Sequence, residues 1–155
     1  MTKDEQWMKI AIEEAKLAMN ENEIPVGSIL VQNEKIIAQA HNQPISNNDP
    51  TAHAEIQVIR KAGQLQKNYR LSGSCIYVTL EPCLMCLGAM IHARIERVIF
   101  GAFDSKNRIY SCKDLSSKNI FNHKIIFTGG VLEKESSQLL KHFFASRRNY
   151  EATKN

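Results

Sequence analysis

The chain has 155 residues, 43% of them hydrophobic and 23% charged, with a net charge of +4; this is the balance of a single globular domain spanning 1–155, large enough to bury a core without disulfide staples. No run approaches the ~18 apolar residues of a membrane span, and the acid-containing start MTKDEQWMKIAIEEAK resembles neither a signal nor a transit peptide, so a cytoplasmic protein without a membrane partner is expected. Residues 1–84 carry eight Lys and Arg against ten Asp and Glu, residues 85–155 twelve against six, an asymmetry that suits a polyanion such as RNA and equally a solvated basic surface.

Residues 4–20 place Trp7, Met8, Ala11, Ile12, Ala15, Ala18 and Met19 at three-to-four-residue intervals. This predicts an amphipathic helix with an acidic outer face, ending before Pro25. VGSILVQ and KIIAQAH, separated by NEK, predict a hairpin, and the polar loop NQPISNND follows. Asp49-Pro50-Thr51 has the form of a helix start, with Asp or Thr as cap and Pro in the first turn, and the helix is expected to stop at Gly63. CIYVTL is a third strand, and Pro82 opens a helix from Cys83 to about Arg94. RVIFGA and KIIFT are a fourth and fifth strand. A last helix, Leu132 to about Asn149, is expected to bury Leu132, Leu139, Leu140, Phe143 and Phe144. Strands alternating with helices after an opening hairpin imply an α/β fold of three layers, α/β/α, with a mixed five-stranded sheet between the helices. Residues 104–123 are the least regular, with the length of a functional loop.

LEPCLMCLG places Cys83 and Cys86 one turn apart on the same face at a helix N-terminus, where the free amides and the dipole favour thiolates. Alone, a C-x-x-C pair is as readily a redox pair or a chance spacing. TAHAE adds His53 at another strand-to-helix junction, and such junctions are where ligands gather in α/β sheets. His53, Cys83 and Cys86 would make three zinc ligands and leave a fourth position for water, the mark of a catalytic rather than a structural site. Glu55, two residues from His53, does not share its face in a helix body, but at the first turn the pair can straddle a pocket. A carboxylate that is not a ligand is then placed to take a proton from an activated water and pass it to a leaving group.

H-x-E with P-C-x-x-C is the recognised pattern of the zinc nucleobase deaminases, of which the tRNA-editing deaminases are a known example. Beyond it, PVGSILV, HNQPI, DPTAHAEI, NYRL, YVTLEPCLMCLGAMIHARIERVIFGA, FNHK and FFASRR together resemble the bacterial tRNA-specific adenosine deaminase family, almost end to end. The resemblance implies a cytidine-deaminase-like fold, a homodimer, one Zn2+ per subunit and, as substrate, the wobble adenosine of a tRNA anticodon stem-loop, converted to inosine. A tRNA-Arg with anticodon ACG is the expected species, and no DNA partner is expected. It assigns His53, Cys83 and Cys86 to zinc, Glu55 to the proton shuttle and Asn42 of HNQP to the base. Asp104, Asn122, Phe144 and Arg147 are assigned to the anticodon loop by weaker motifs.

Three departures stand out against that family. Ser28 replaces a small apolar residue, KNRIYSCKDL (106–115) replaces a glycine-rich segment, and Phe103 falls at a freely varied position. Cys75 reads as a buried strand residue and Cys112 as a loop thiol, while His41, His92 and His142 lack neighbouring ligands. Two competing functions remain: deamination of a free base such as guanine, and a non-catalytic zinc-dependent RNA-binding subunit, against which Glu55 speaks.

Overall fold

The structure, a computed structural model, describes residues 1–104, 114–115 and 121–153. Helix α1 (Lys3–Asn20) begins in a capping box: Glu5 N–H donates to Thr2 Oγ1 and Thr2 N–H to Glu5 Oε2, both at 3.1 Å. It is followed by β1 (Gly27–Gln32), β2 (Lys35–His41), α2 (Ala54–Gln66), β3 (Ser74–Leu80), α3 (Leu84–His92), β4 (Arg97–Ala102), β5 (Ile126–Gly129) and α4 (Glu133–Thr153).

The strands form one mixed sheet in the order β2-β1-β3-β4-β5. β1 is antiparallel to both neighbours, and β3, β4 and β5 are parallel. β2, β3, β4 and β5 therefore all point the same way, and their C-terminal ends share one edge of the sheet with the N-terminal end of β1. Alternation along the strands divides the core. Ile29, Val31, Tyr77 and Ile99 pack with Met8 and Ile12 of α1 and with Leu139 of α4. Leu30, Ile76 and Val78 face Val58 of α2 and Leu87 and Met90 of α3. This is the three-layer arrangement expected from the sequence. α1 rests directly on β1, because a Cβ on Gly27 would stand 2.0 Å from the Ala11 carbonyl oxygen.

Several boundaries differ from expectation, each for a local reason. α2 starts at Ala54, with His53 in the cap position, because Asp49 is engaged earlier: its Oδ1 accepts from Thr51 N–H at 2.9 Å and from Thr51 Oγ1 at 2.7 Å. The helix passes Gly63 and ends where Lys67 takes the left-handed conformation (φ 53°). Cys83 likewise caps α3 rather than opening it. α4 runs longer than expected, to Thr153, and Phe143 is buried while Phe144 is 40% exposed. The outer face of α1 is not uniformly acidic and solvated either, since Glu14 is buried and bonded to His41 Nδ1 at 2.8 Å. Cys75 is half-buried. Ile109, Tyr110 and Cys112 lie outside the described residues.

Candidate metal centre and active site

The edge that gathers the strand C-termini also holds the N-termini of α2 and α3. Glu81 N–H donates to Ala102 O at 2.9 Å, tying the segments leaving β3 and β4, and Asn42 N–H donates to Val26 O at 3.0 Å, tying the segment leaving β2 to the one entering β1. His53 and Cys83, each the cap of its helix, are thereby brought together with Cys86. His53 Nδ1 lies 3.6 Å from Cys83 Sγ and 3.5 Å from Cys86 Sγ, and the two sulfurs are 3.8 Å apart. All three donor atoms lie within 4.8 Å of one another.

Tetrahedral zinc with Zn–S of about 2.3 Å and Zn–N of about 2.0–2.1 Å requires S···S edges of about 3.8 Å and N···S edges of about 3.6 Å. The donor triangle matches those edges, and two thiols with one imidazole are a zinc donor set.

In the protein scaffold by itself the Cys83 thiol is pushed down to about 4, first by its hydrogen bond with Cys86 and then by that with His53. The Cys86 thiol is pushed up, by the same hydrogen bond and by burial. A cation bound by the two sulfurs would displace the thiol protons. His53 is raised, chiefly by its hydrogen bond to Cys83 and further by the charge of Glu55.

Glu55, 3% exposed in the first turn of α2, lies against this group without being one of its three donors. Burial pushes its carboxyl above the usual range, opposed by its own backbone N–H and by His53. A buried carboxyl beside the donor group, its proton affinity raised by desolvation, has the character of a general acid and base.

The other expected residues divide by position. Asn42 is buried at the end of β2, on the same edge, and its side-chain amide makes no hydrogen bond among the described residues. Asp104 lies just past β4 on that edge, its N–H donating to Glu81 Oε1 at 3.2 Å. Arg147 stands at the C-terminal end of α1, with Nη2 donating to Asn22 O at 3.0 Å and its guanidinium 5.2 Å from the centre of the Phe143 ring. A groove of about 530 Å³ lies there, lined by Met19, Asn22, His142, Phe143, Arg147 and Tyr150. Phe144 packs edge-on against Phe143 at 5.5 Å.

Asn122 is not brought to this edge. It is held at the C-terminal end of α3, where Arg94 Nη1 donates to its Oδ1 at 3.1 Å. Ser28, one of the three departures from the family, is wholly buried on the sheet face toward α2 and α3, and its hydroxyl has no hydrogen-bond partner among the described residues.

Residues 1–102 match the family described as the cytidine and deoxycytidylate deaminase zinc-binding region. The chain is 47% identical over 146 residues to a tRNA-specific adenosine deaminase of Buchnera aphidicola subsp. Baizongia pistaciae, covering 94% of this chain and 90% of that one. To the Bacillus subtilis tRNA-specific adenosine deaminase it is 45% identical over 149 residues, 96% and 92% of the two chains. The chain belongs to the tRNA-specific adenosine deaminases.

A solved structure from studies of A-to-I editing by tRNA:A34 deaminases at the wobble position of transfer RNA superposes with a TM-score of 0.82 at 40% identity, covering 87% of this chain and 99% of that one. For a zinc-dependent deaminase of this family the His53, Cys83 and Cys86 group is positioned to bind the metal. Sequence reasoning missed the acids that hold the neighbouring loop, Glu21 and Glu23, and Glu14, which bonds His41 at the end of β2. Glu21 and Glu23 follow the end of α1, where acidic residues are ordinarily solvated, so no pattern in the sequence marks them.

Proposed function

We propose that this enzyme deaminates adenosine to inosine in tRNA, at the wobble position 34, with a tRNA-Arg of anticodon ACG as substrate. The observation that carries the reading is the Glu55 carboxyl buried against three metal donors on the edge that also carries Asn42. The family's identity along nearly the whole chain supports the choice of substrate.

His53, Cys83 and Cys86 hold zinc, which when bound supplies the Lewis acidity that makes water a nucleophile near neutral pH. Glu55 takes one proton from the water that attacks C6 and passes it to N1 of the purine, then carries the remaining hydroxyl proton to the amino group, so that the C6–N bond breaks and ammonia leaves. Burial raises the proton affinity of the carboxyl. Asn42, whose side-chain amide makes no hydrogen bond among the described residues, holds the edge of the flipped base. An anticodon loop offers unpaired bases that cost little to splay out. Asp104, Phe144 and Arg147 contact the loop around that base, and the basic C-terminal half attracts its phosphates. Asn122, at the far end of α3, reaches RNA only if the loop extends there or a second subunit presents it. Leu84 (68% exposed) and Met85 (37%) on the outer face of α3 support a homodimer, which a concentration series by light scattering tests.

The functional test is incubation of zinc-loaded protein with tRNA-Arg(ACG) beside Glu55→Ala, with inosine read as A-to-G after reverse transcription. Conversion at position 34 by the wild type alone is expected. Turnover of free guanine with none of tRNA would reverse the reading.

A further inference from the structure

The segment between β2 and α2 is a closed loop. Gln43 N–H donates to Ala52 O at 2.9 Å, so residues 43–52 are pinched at their base, with Asn42 immediately before the pinch and His53 immediately after it. The far part of the loop is pinned by one side chain. Glu23, 1% exposed, accepts hydrogen bonds from Ile45 N–H at 3.2 Å, Ser46 N–H at 2.7 Å and Ser46 Oγ at 2.7 Å.

Its aim is set by how α1 ends. Asn22 adopts the left-handed conformation (φ 61°), Asn22 N–H donates to Met19 O at 3.1 Å and Glu23 N–H to Ala18 O at 3.0 Å, a helix stop that turns the chain back toward the loop. Glu21 supports the same segment, accepting from Gln43 Nε2 at 3.2 Å and lying 3.1 Å from His41 Nε2.

A buried carboxylate with no ion pair among the described residues is an expensive anchor where apolar packing would suffice. What it achieves and packing cannot is to fix two successive backbone amides in direction, through charge-assisted bonds. The consequence falls on the loop's base, where Asn42 and His53 are placed.

We propose that Glu23 is a positioning residue for the deamination. It clamps the 43–52 loop and thereby holds Asn42 in register with the base. This rests on the function proposed above. The hydrogen bonds of the Glu23 carboxylate among the described residues go to Ile45 and Ser46 and not to the metal donors or Asn42, so it acts through the loop. The apolar side chain of Ile45, 64% exposed, is presented outward by the same clamp.

The test uses the full-length, zinc-loaded protein with Glu23→Gln, Glu23→Ala and Ser46→Ala, and Glu34→Gln as a remote control. It measures amide hydrogen exchange at residues 45 and 46, zinc content, the Kd for the anticodon stem-loop, and kcat. For Glu23→Gln, exchange at the two amides is expected to accelerate at least about tenfold and kcat to fall by about tenfold to a hundredfold. Zinc content should stay constant and RNA affinity within about threefold, because phosphates dominate it. Ser46→Ala, which removes a single bond and leaves the carboxylate in place, should give the same pattern at about two- to tenfold in kcat. It keeps the test available should Glu23→Ala fail to fold.

Unchanged exchange overturns the clamp. Faster exchange with unchanged kcat, or a kcat loss that follows zinc loss in proportion, overturns the positioning role. Absence of inosine with wild-type protein would sink the proposed function instead, and the exchange measurement would then decide on the clamp by itself.

Discussion

Cys83 Sγ and Cys86 Sγ face each other at 3.8 Å across the first turn of α3, and His53 Nδ1 from α2 stands nearly equidistant from both. Because the match to a zinc donor triangle needs all three, substitution Cys86→Ala should lower metal affinity by at least about a hundredfold, more than the loss of an outer hydrogen-bond partner costs. Zinc content by elemental analysis checks this. Full retention after dialysis against a chelator would mean the metal is held elsewhere.

Glu55 carries the proton chemistry if it acts beside the ligands rather than as one. Glu55→Gln keeps the shape and removes the titrating group, so kcat should fall by about 10²–10⁴-fold with zinc content unchanged. Loss of zinc in parallel with activity would make Glu55 a ligand and contradict the assignment.

Asp4 and Arg97 join the start of α1 to the start of β4 through two hydrogen bonds, Nη1 to Oδ1 at 3.1 Å and Nη2 to Oδ2 at 2.6 Å, and Tyr77 Oη adds a third at 2.8 Å to Oδ1. The Arg97 hydrogen bond is the main cause that holds the Asp4 carboxyl below its usual range, against partial burial. A carboxyl depressed on folding stabilises the native state fully above its unfolded value of about 3.9, and that contribution disappears as pH falls through the lower folded value. Asp4→Asn should therefore cost about 1 kcal/mol at pH 7, a figure discounted for the part-exposed pair. The gap should narrow in urea titrations as pH falls below the unfolded value and through the lower folded one. A gap independent of pH would refute the ion pair as its source.

Ser28 Oγ is buried without a hydrogen-bond partner among the described residues. Ser28→Ala removes an unsatisfied hydroxyl with little change in shape, so stability should rise by about 1 kcal/mol and Tm by about 2–4 °C. A lower Tm would show that the hydroxyl is satisfied by bound water.

Arg147 reaches across from α4 to the carbonyl of Asn22 and over Phe143, beside an open groove. If its charge also meets RNA phosphate, Arg147→Ala should weaken stem-loop binding and reduce the slope of log K against log salt by about 1. An unchanged slope with a lowered Tm would confine Arg147 to its contacts with α1.

The number and order of strands, the amphipathic first helix and the ligand set His53, Cys83 and Cys86 were legible in the chain, because periodicity and short-range spacing are local properties. So was Glu55, through its place in a motif. Helix ends were less legible. Asp49 has the right chemistry for a cap, but its oxygen is taken by Thr51 two residues on, and that competition is invisible in a pattern that reads either residue as a cap.

What only the tertiary structure decided is which distant groups meet. Asn42 and Asp104 share an edge with the metal donors because β2, β3 and β4 run in one direction, while Asn122 falls at the opposite end of α3. Glu23 and Glu21 become loop anchors because α1 ends beside the β2–α2 connection, and Glu14 in the body of α1 meets His41 at the end of β2. Sequence determines composition and local geometry; burial of an acid against backbone amides twenty residues away depends on how sheet and helices close around it, and no local pattern encodes that.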